Sequence, residues 1–139
     1  MILYQDGFIT LDYDPSTDVL YAACPDLQDF VLLQIHAAFN RIVSAVGAYD
    51  IKNLLLDFSK TTIDVSDDDY KMVLSQFVQD LMPTCVKRVA RVISDDAVRE
   101  ARVASLAIEF KKELKPAFVF RNFTSQAAAR YWLTGKETA

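Results

Sequence analysis

Glycine is scarce in this chain, and its three residues, Gly7, Gly47 and Gly135, lie far apart. The sequence therefore contains no glycine-rich loop of the kind that cradles phosphate groups at a strand-to-helix turn. Histidine is scarcer still, because His36 stands alone and no GxSxG or cysteine-nucleophile motif accompanies it. A hydrolase would need His36 to meet a hydroxyl or a carboxylate in a cleft. We expect a protein that is not an enzyme and holds no cofactor, with His36 as a half-buried packing residue on a helix.

Cysteine and long apolar runs are also sparse. Cys24 and Cys85 form no CxxC unit, and we interpret them as reduced, buried thiols of a cytoplasmic protein, with one disulfide as the alternative. The first residues lack the basic flank and apolar stretch of a signal peptide, so we expect none. Polar residues such as Gln34 and Arg41 interrupt the longest apolar segments, so we also expect no membrane span.

An excess of basic residues is missing as well. The net charge of −4 argues against nucleic-acid binding. Residues 1–70 hold twelve Asp and three Lys or Arg, whereas residues 71–139 hold seven acidic and twelve basic residues. We expect the two halves to interleave and mix these charges in one fold. The alternatives are a basic face for an anionic partner, or a homodimer formed through opposite patches.

What is present is an ordinary globular composition with regular periodicity. Apolar residues make up 52% of the 139 residues, which fits one domain, 1–139, with a frayed tail over 134–139. Period-two alternation predicts strands at 8–13 and 19–24, joined as a hairpin by the turn residues 14–18, and an optional edge strand at 1–4. Further strands are predicted at 52–58, 87–93 and 116–121. Helices are predicted at 28–48, 67–81 and 96–114, with a short last helix that is capped by Thr124 or Ser125 and ends at Leu133.

This order predicts an α/β fold with four helices on a mixed, mostly parallel sheet of about five strands that begins with a hairpin. Three segments carry a family resemblance: the buried strand 54–59 with the serine-capped acidic helix start after it, residues 83–90, and residues 123–133, which open on Phe and close on Trp-Leu. Together they resemble the SpoIIAA-like branch of the STAS superfamily, which includes anti-sigma-factor antagonists and SEC14-like modules.

The resemblance implies a non-catalytic regulatory or protein-interaction module with a protein partner of unknown identity. By analogy with the family, the contact surface is the junction between the third predicted strand and the second helix. The partner-binding residues implied there are Ser59, Lys60, Asp64, Ser66, Asp67 and Tyr70.

One departure from the family concerns its phosphoserine switch. Phosphoregulated relatives carry an Asp-Ser-Ser-Gly-like motif at this helix start, whereas Ser66 here is followed by three aspartates and no glycine. Like charge would repel a phosphate, so we expect the switch to be lost and Ser66 to serve as a helix N-cap, with Asp69 at capping-box spacing. The alternative is a divalent cation held by Asp57, Asp64, Asp67 and Asp68. Because consecutive helical residues point about 100° apart, we favour capping and expect no metal site.

A second candidate site is basic. Lys87, Arg88 and Arg91 flank one predicted strand, with Arg99 and Arg102 on the helix after it, and they could bind an anion if they cluster. The alternative is a solvated face. SEC14-like relatives hold apolar ligands between helices and sheet, so the runner-up function is a binding protein for a small apolar or anionic ligand. An unfilled cavity under the second and third predicted helices would favour that function.

Overall fold

The computed structural model describes residues 1–24 and 29–135, which form an α/β fold with four helices and eight strands. The strands are β1 (Ile2–Gln5), β2 (Thr10–Asp14), β3 (Val19–Ala23), β4 (Asp29–Phe30), β5 (Asn53–Asp57), β6 (Thr62–Ile63), β7 (Arg88–Val92) and β8 (Val119–Phe123). The helices are α1 (Leu32–Ala48), α2 (Asp67–Leu81), α3 (Ala97–Glu113) and α4 (Gln126–Thr134).

Six of these strands form the main sheet, in the order β1-β2-β3-β5-β7-β8. The β1–β2 and β2–β3 pairs are antiparallel, and the β3–β5, β5–β7 and β7–β8 pairs are parallel. The predicted hairpin and the mostly parallel remainder are therefore confirmed. The optional edge strand does pair, which gives six strands where about five were expected. The short parallel pair β4–β6 lies outside the main sheet and was not predicted, because two-residue strands show no periodicity.

Helices cover both faces of the sheet. Leu54 and Leu56 of β5 belong to a core cluster that includes Ile42 of α1 and Phe77 of α2. Leu55, which points the opposite way because side chains alternate along a strand, belongs to a second cluster with Leu133 of α4. The central strand is thus buried on both sides, as its unbroken apolar run predicts.

Several boundaries differ from the predictions. Helix α1 begins at Leu32, and the predicted start at residue 28 lies outside the described residues. Strand β8 begins at Val119 and runs to Phe123, because its register with β7 decides the pairing. Thr134 belongs to α4 and is not frayed, and the helix ends at Gly135, whose φ of 70° is the left-handed conformation common at helix ends. The rest of the predicted tail, 136–139, lies outside the described residues.

Three side-chain predictions have mixed outcomes. Both cysteines are free, but only Cys24 is buried, because Cys85 lies exposed in the loop after α2. His36 is exposed and not half-buried, since it is one residue, or about 100°, away from buried Ile35 on α1. Ser125 is confirmed as the cap of α4, its Oγ accepting from the Ala128 N–H at 3.2 Å.

Among the described residues, no helix is both long and apolar enough to cross a membrane.

Candidate functional site

A cavity of about 440 Å³ lies between the sheet and helices α2 and α3. Its walls are mostly apolar and include Leu56 and Val89 from the sheet, Phe77 from α2 and Leu106 from α3. Ligand pockets in proteins typically measure about 300–1,000 Å³. The cavity is therefore of ligand-binding size. It lies under the second and third helices, where an unfilled cavity was expected to favour a ligand-binding function.

Helix α3 does not pack its apolar face into either core cluster. Val103, Leu106 and Phe110 are buried, yet they belong to neither cluster and all three line the cavity. Two ion pairs join α3 to α2 near the surface, Lys71–Glu109 at 2.5 Å and Asp67–Arg102 at 2.6 Å. Exposed ion pairs of this kind contribute only about 0–1 kcal/mol each. Helix α3, which covers the cavity, is thus linked to α2 by two ion pairs at the surface.

The cavity has a closed end and an open end. The closed end lies at the carboxyl ends of the parallel strands, where α2 and α3 begin. It is marked by Tyr70 and Arg99, whose side chains are both buried. The opposite end is marked by Ile108, which is 62% exposed, and Val119, which is 54% exposed. The exposed lining residues place the mouth between the last turns of α3 and the start of β8.

The closed end holds a hydrogen-bonded ionic cluster. Arg91 of β7 donates both terminal nitrogens to Glu100 of α3, at 2.6 and 2.8 Å. Ser94 donates its backbone N–H at 3.0 Å and its hydroxyl at 2.7 Å to the same carboxylate. Partial burial acts to raise the pKa of Glu100, but these hydrogen bonds outweigh it and lower the pKa from its ordinary 4.5 to about 2. Glu100 is therefore ionised at neutral pH and neutralises Arg91.

Arg99 lies beside this cluster and is 7% exposed. Its two terminal nitrogens donate to the backbone carbonyls of Thr61 and Phe58, the latter at 2.9 Å, so the side chain fixes the chain between β5 and β6. Its Nε has no hydrogen-bond partner among the described residues and lies 3.9 Å from the Glu100 carboxylate. Arg99 thus brings a buried positive charge to the cavity wall, and its Nε–H is left unpaired.

The predicted anion-binding cluster is not formed. Residues three apart on a strand point to opposite faces, so Arg88 and Arg91 of β7 diverge. Arg88 packs over the Trp132 ring at 5.8 Å and donates to the Trp132 carbonyl at 3.1 Å. Lys87 is exposed just before the strand. The cation that joins Arg91 is Arg99, one of the two arginines on the following helix that the sequence indicated as further members of the cluster.

The residues implied as partner-binding have varied surroundings. Ser66 caps α2 as predicted, its Oγ accepting from the Asp69 N–H at 3.2 Å. Ser59 is half-buried and donates its hydroxyl to Asp57 at 2.6 Å. The exposed members of the set are Lys60, Asp64, Ser66 and Asp67. Tyr70, by contrast, is buried and lines the cavity, so it belongs to the interior and not to that surface.

The carboxylates considered as an alternative cation site are Asp57, Asp64, Asp67 and Asp68. Asp57 accepts from Ser59 and Asp67 pairs with Arg102, so two of the four are directed to other partners. Within residues 1–24 and 29–135, no group of three or more His, Cys, Asp or Glu side chains is placed to hold a metal ion.

The layered arrangement defines a SpoIIAA-like fold, as the sequence resemblance implied. The crystal structure of an uncharacterised protein of the DUF3478 family with a SpoIIAA-like fold, from Shewanella loihica PV-4, is similar to this chain with a TM-score of 0.57. The similarity covers 94% of this chain and 97% of that chain at 16% sequence identity, and therefore shows the shared fold alone. No family model and no curated protein matches the sequence.

Proposed function

We propose that this protein is a non-catalytic binding protein for a small, mainly apolar ligand, held between the sheet and helices α2 and α3. The observation that carries the proposal is the apolar cavity of about 440 Å³ with its exposed mouth. An apolar cavity of about 150 Å³ already suffices to bind benzene. Moving an apolar ligand from water into such a cavity is favourable because apolar surface is removed from water on both sides.

The surroundings of the ionisable groups support a binding role over a catalytic one. Glu100 is committed to Arg91 and Ser94, so it lacks the poised pKa of a general base at neutral pH. His36 is exposed on α1 and does not line the cavity. Binding without chemistry is therefore the function that these side chains favour.

The cavity predicts a clear effect of filling it. We expect Leu106→Trp to lower the affinity for the neutral, apolar dye Nile red by at least about tenfold, because the indole would occupy ligand space. The measurement is dye fluorescence on titration with protein. Val98→Trp is the matched control, since Val98 is on the same helix, 72% exposed, and not part of the cavity wall.

Two results would contradict the proposal: no saturable dye binding to the wild-type protein, or equal loss of binding in both tryptophan variants. Circular dichroism and urea unfolding of each variant would confirm that the fold is retained before affinities are compared.

A regulatory or protein-interaction module is the second candidate. The observation that favours it is the acidic surface formed by the exposed residues Asp64, Asp67 and Asp68 beside Ser66. Such a surface is suited to a partner with a basic face. We propose that no phosphoserine switch operates there, because the Ser66 hydroxyl accepts the Asp69 N–H of the helix cap.

The capping role of Ser66 makes a specific prediction. Ser66→Ala should lower the free energy of unfolding by about 1 kcal/mol, whereas Ser66→Asp, which keeps a capping oxygen, should retain most of it. Urea unfolding measures both. If Ser66 were a phosphoserine switch, Ser66→Asp would mimic the phosphorylated state. The variant would then capture a different set of proteins from the native host than the wild-type protein does. Unchanged stability in Ser66→Ala would contradict the capping account.

A further inference from the structure

The closed end of the cavity is bordered by a buried arginine, Arg99. The Arg99 side chain is 7% exposed, and its Nε has no hydrogen-bond partner among the described residues. A buried donor on a charged group is costly when it is left unpaired. The Nε atom itself has almost no accessible surface, so Arg99 contributes its charge to the cavity wall while its Nε–H stays out of reach of a bound molecule.

Among the buried and half-buried side chains at this end of the cavity, positive charges exceed negative charges by one. Arg91 and Arg99 are two cations, and Glu100 is the one anion among them. Arg91 and Ser94 engage both oxygens of Glu100, and its distance of 3.9 Å from the Arg99 Nε is outside hydrogen-bonding range. The nearby Arg102 is paired with an aspartate of α2 and adds no net charge. A ligand with a single negative charge would neutralise the cluster.

Tyr70 provides a hydrogen-bond donor at the closed end. Its side chain is buried, it lines the cavity, and its hydroxyl has no hydrogen-bond partner within residues 1–24 and 29–135. Burial raises the pKa of Tyr70, while the charges of Arg91 and Arg99 act to lower it, so the hydroxyl lies within the influence of that cluster. The hydroxyl remains protonated at neutral pH and can donate a hydrogen bond.

We propose that the ligand is an amphipathic monocarboxylate, whose carboxylate accepts a hydrogen bond from the Tyr70 hydroxyl and lies beside the positive charges of Arg91 and Arg99. Its apolar chain runs along the strands toward Ile108 and Val119 at the mouth. This inference rests on the proposed function and adds the chemical class and orientation of the ligand. A carboxylate matches both the single excess charge and the Tyr70 donor, whereas an alcohol of the same chain would leave the charge uncompensated.

The test compares three probes with the same chain, namely dodecanoate, 1-dodecanol and dodecylammonium, each below its micellar concentration or, for the alcohol, its solubility. Displacement of Nile red at pH 7.5 measures their affinities. We expect dodecanoate to bind at least about tenfold more tightly than 1-dodecanol, and dodecylammonium to bind most weakly. Tyr70→Phe, which removes only the hydroxyl, should weaken dodecanoate by about threefold to tenfold relative to 1-dodecanol, with the Nile red affinity of the variant measured first.

Arg99 also supports the fold through Thr61 and Phe58, so Tyr70→Phe is the informative variant. Arg121→Gln is the control for a general loss of positive charge, because Arg121 is exposed and packs over Phe123 and Trp132 on the side of α4. It should leave all three affinities unchanged.

Each outcome has one meaning. Equal or tighter binding of 1-dodecanol, or a dodecanoate affinity that Tyr70→Phe does not alter, would overturn the carboxylate inference while Nile red binding keeps the proposed function intact. Failure of Nile red to bind, or its insensitivity to Leu106→Trp, would overturn both.

Discussion

Replacing Leu54 with alanine should lower the free energy of unfolding by about 3–5 kcal/mol, one of the two largest effects expected in this protein. Leu54 is 0% exposed in the central strand β5 and is paired in register with Leu20 on one side and Val89 on the other. It belongs to the core cluster that joins the sheet to α1 and α2. The substitution leaves a void among side chains that have no room to collapse, and urea unfolding measures its cost.

Leu106→Ala is the matched control, because it makes the same change at a residue that is also nearly buried, at 8% exposure. Leu106 already borders a cavity, so fewer packing contacts are lost and the expected cost is about 1–2 kcal/mol. Equal costs at the two sites would contradict the described architecture, since they would mean that α3 packs against the sheet as tightly as β5 does.

The parts of the fold that the sequence predicted are those whose own residues carry the signal. The unbroken apolar run of β5 indicated a strand buried on both faces, and the stripe of Tyr70, Val73 and Phe77 indicated α2. The bounds of β8 and the existence of β4 and β6 were missed because they depend on pairing with distant strands. Local periodicity contains no information about such register.

The cavity could not be predicted for a related reason. Periodicity shows that Val103, Leu106 and Phe110 point inward from α3, but it does not show whether the space they face is filled. One part of the site does show in the sequence. Arg99 lies four residues before Val103, so it continues the inward stripe, and a charged residue in an apolar stripe is a candidate for a site at the interior.

The second large effect concerns Glu100. We expect Glu100→Gln to lower the free energy of unfolding at pH 7 by about 2–4 kcal/mol, because it removes the anion and also places an amide NH2 donor against the donors of Arg91 and Ser94. Glu100 also fixes the turn before α3 by accepting both hydrogen bonds from Ser94. Glu113→Gln is the control, since Glu113 is exposed in the last turn of the same helix, and it should change stability by no more than about 0.5 kcal/mol.

The pH dependence of this effect follows from the sign of the pKa shift. The folded protein lowers the pKa of Glu100 from 4.5 to about 2, so the unfolded chain binds a proton more readily than the folded one below pH 4.5. The carboxylate therefore contributes its full stabilisation above about pH 5 and loses it as the pH falls through 4.5 to 2. The shift corresponds to at most about 3 kcal/mol. Because the side chain remains 17% exposed, solvent screening reduces the expected contribution to about 1–2 kcal/mol.

Urea unfolding of the wild-type protein and of Glu100→Gln between pH 7 and pH 2 tests this link. Other carboxylates also titrate in this range, so the informative quantity is the difference in unfolding free energy between the two proteins. That difference should shrink by about 1–2 kcal/mol on acidification, because only the wild type has Glu100 to protonate. A difference that stays constant with pH would show that Glu100 is not held ionised by Arg91 and Ser94. The excess of one positive charge at the closed end of the cavity, which assumes that Glu100 is ionised, would then be wrong.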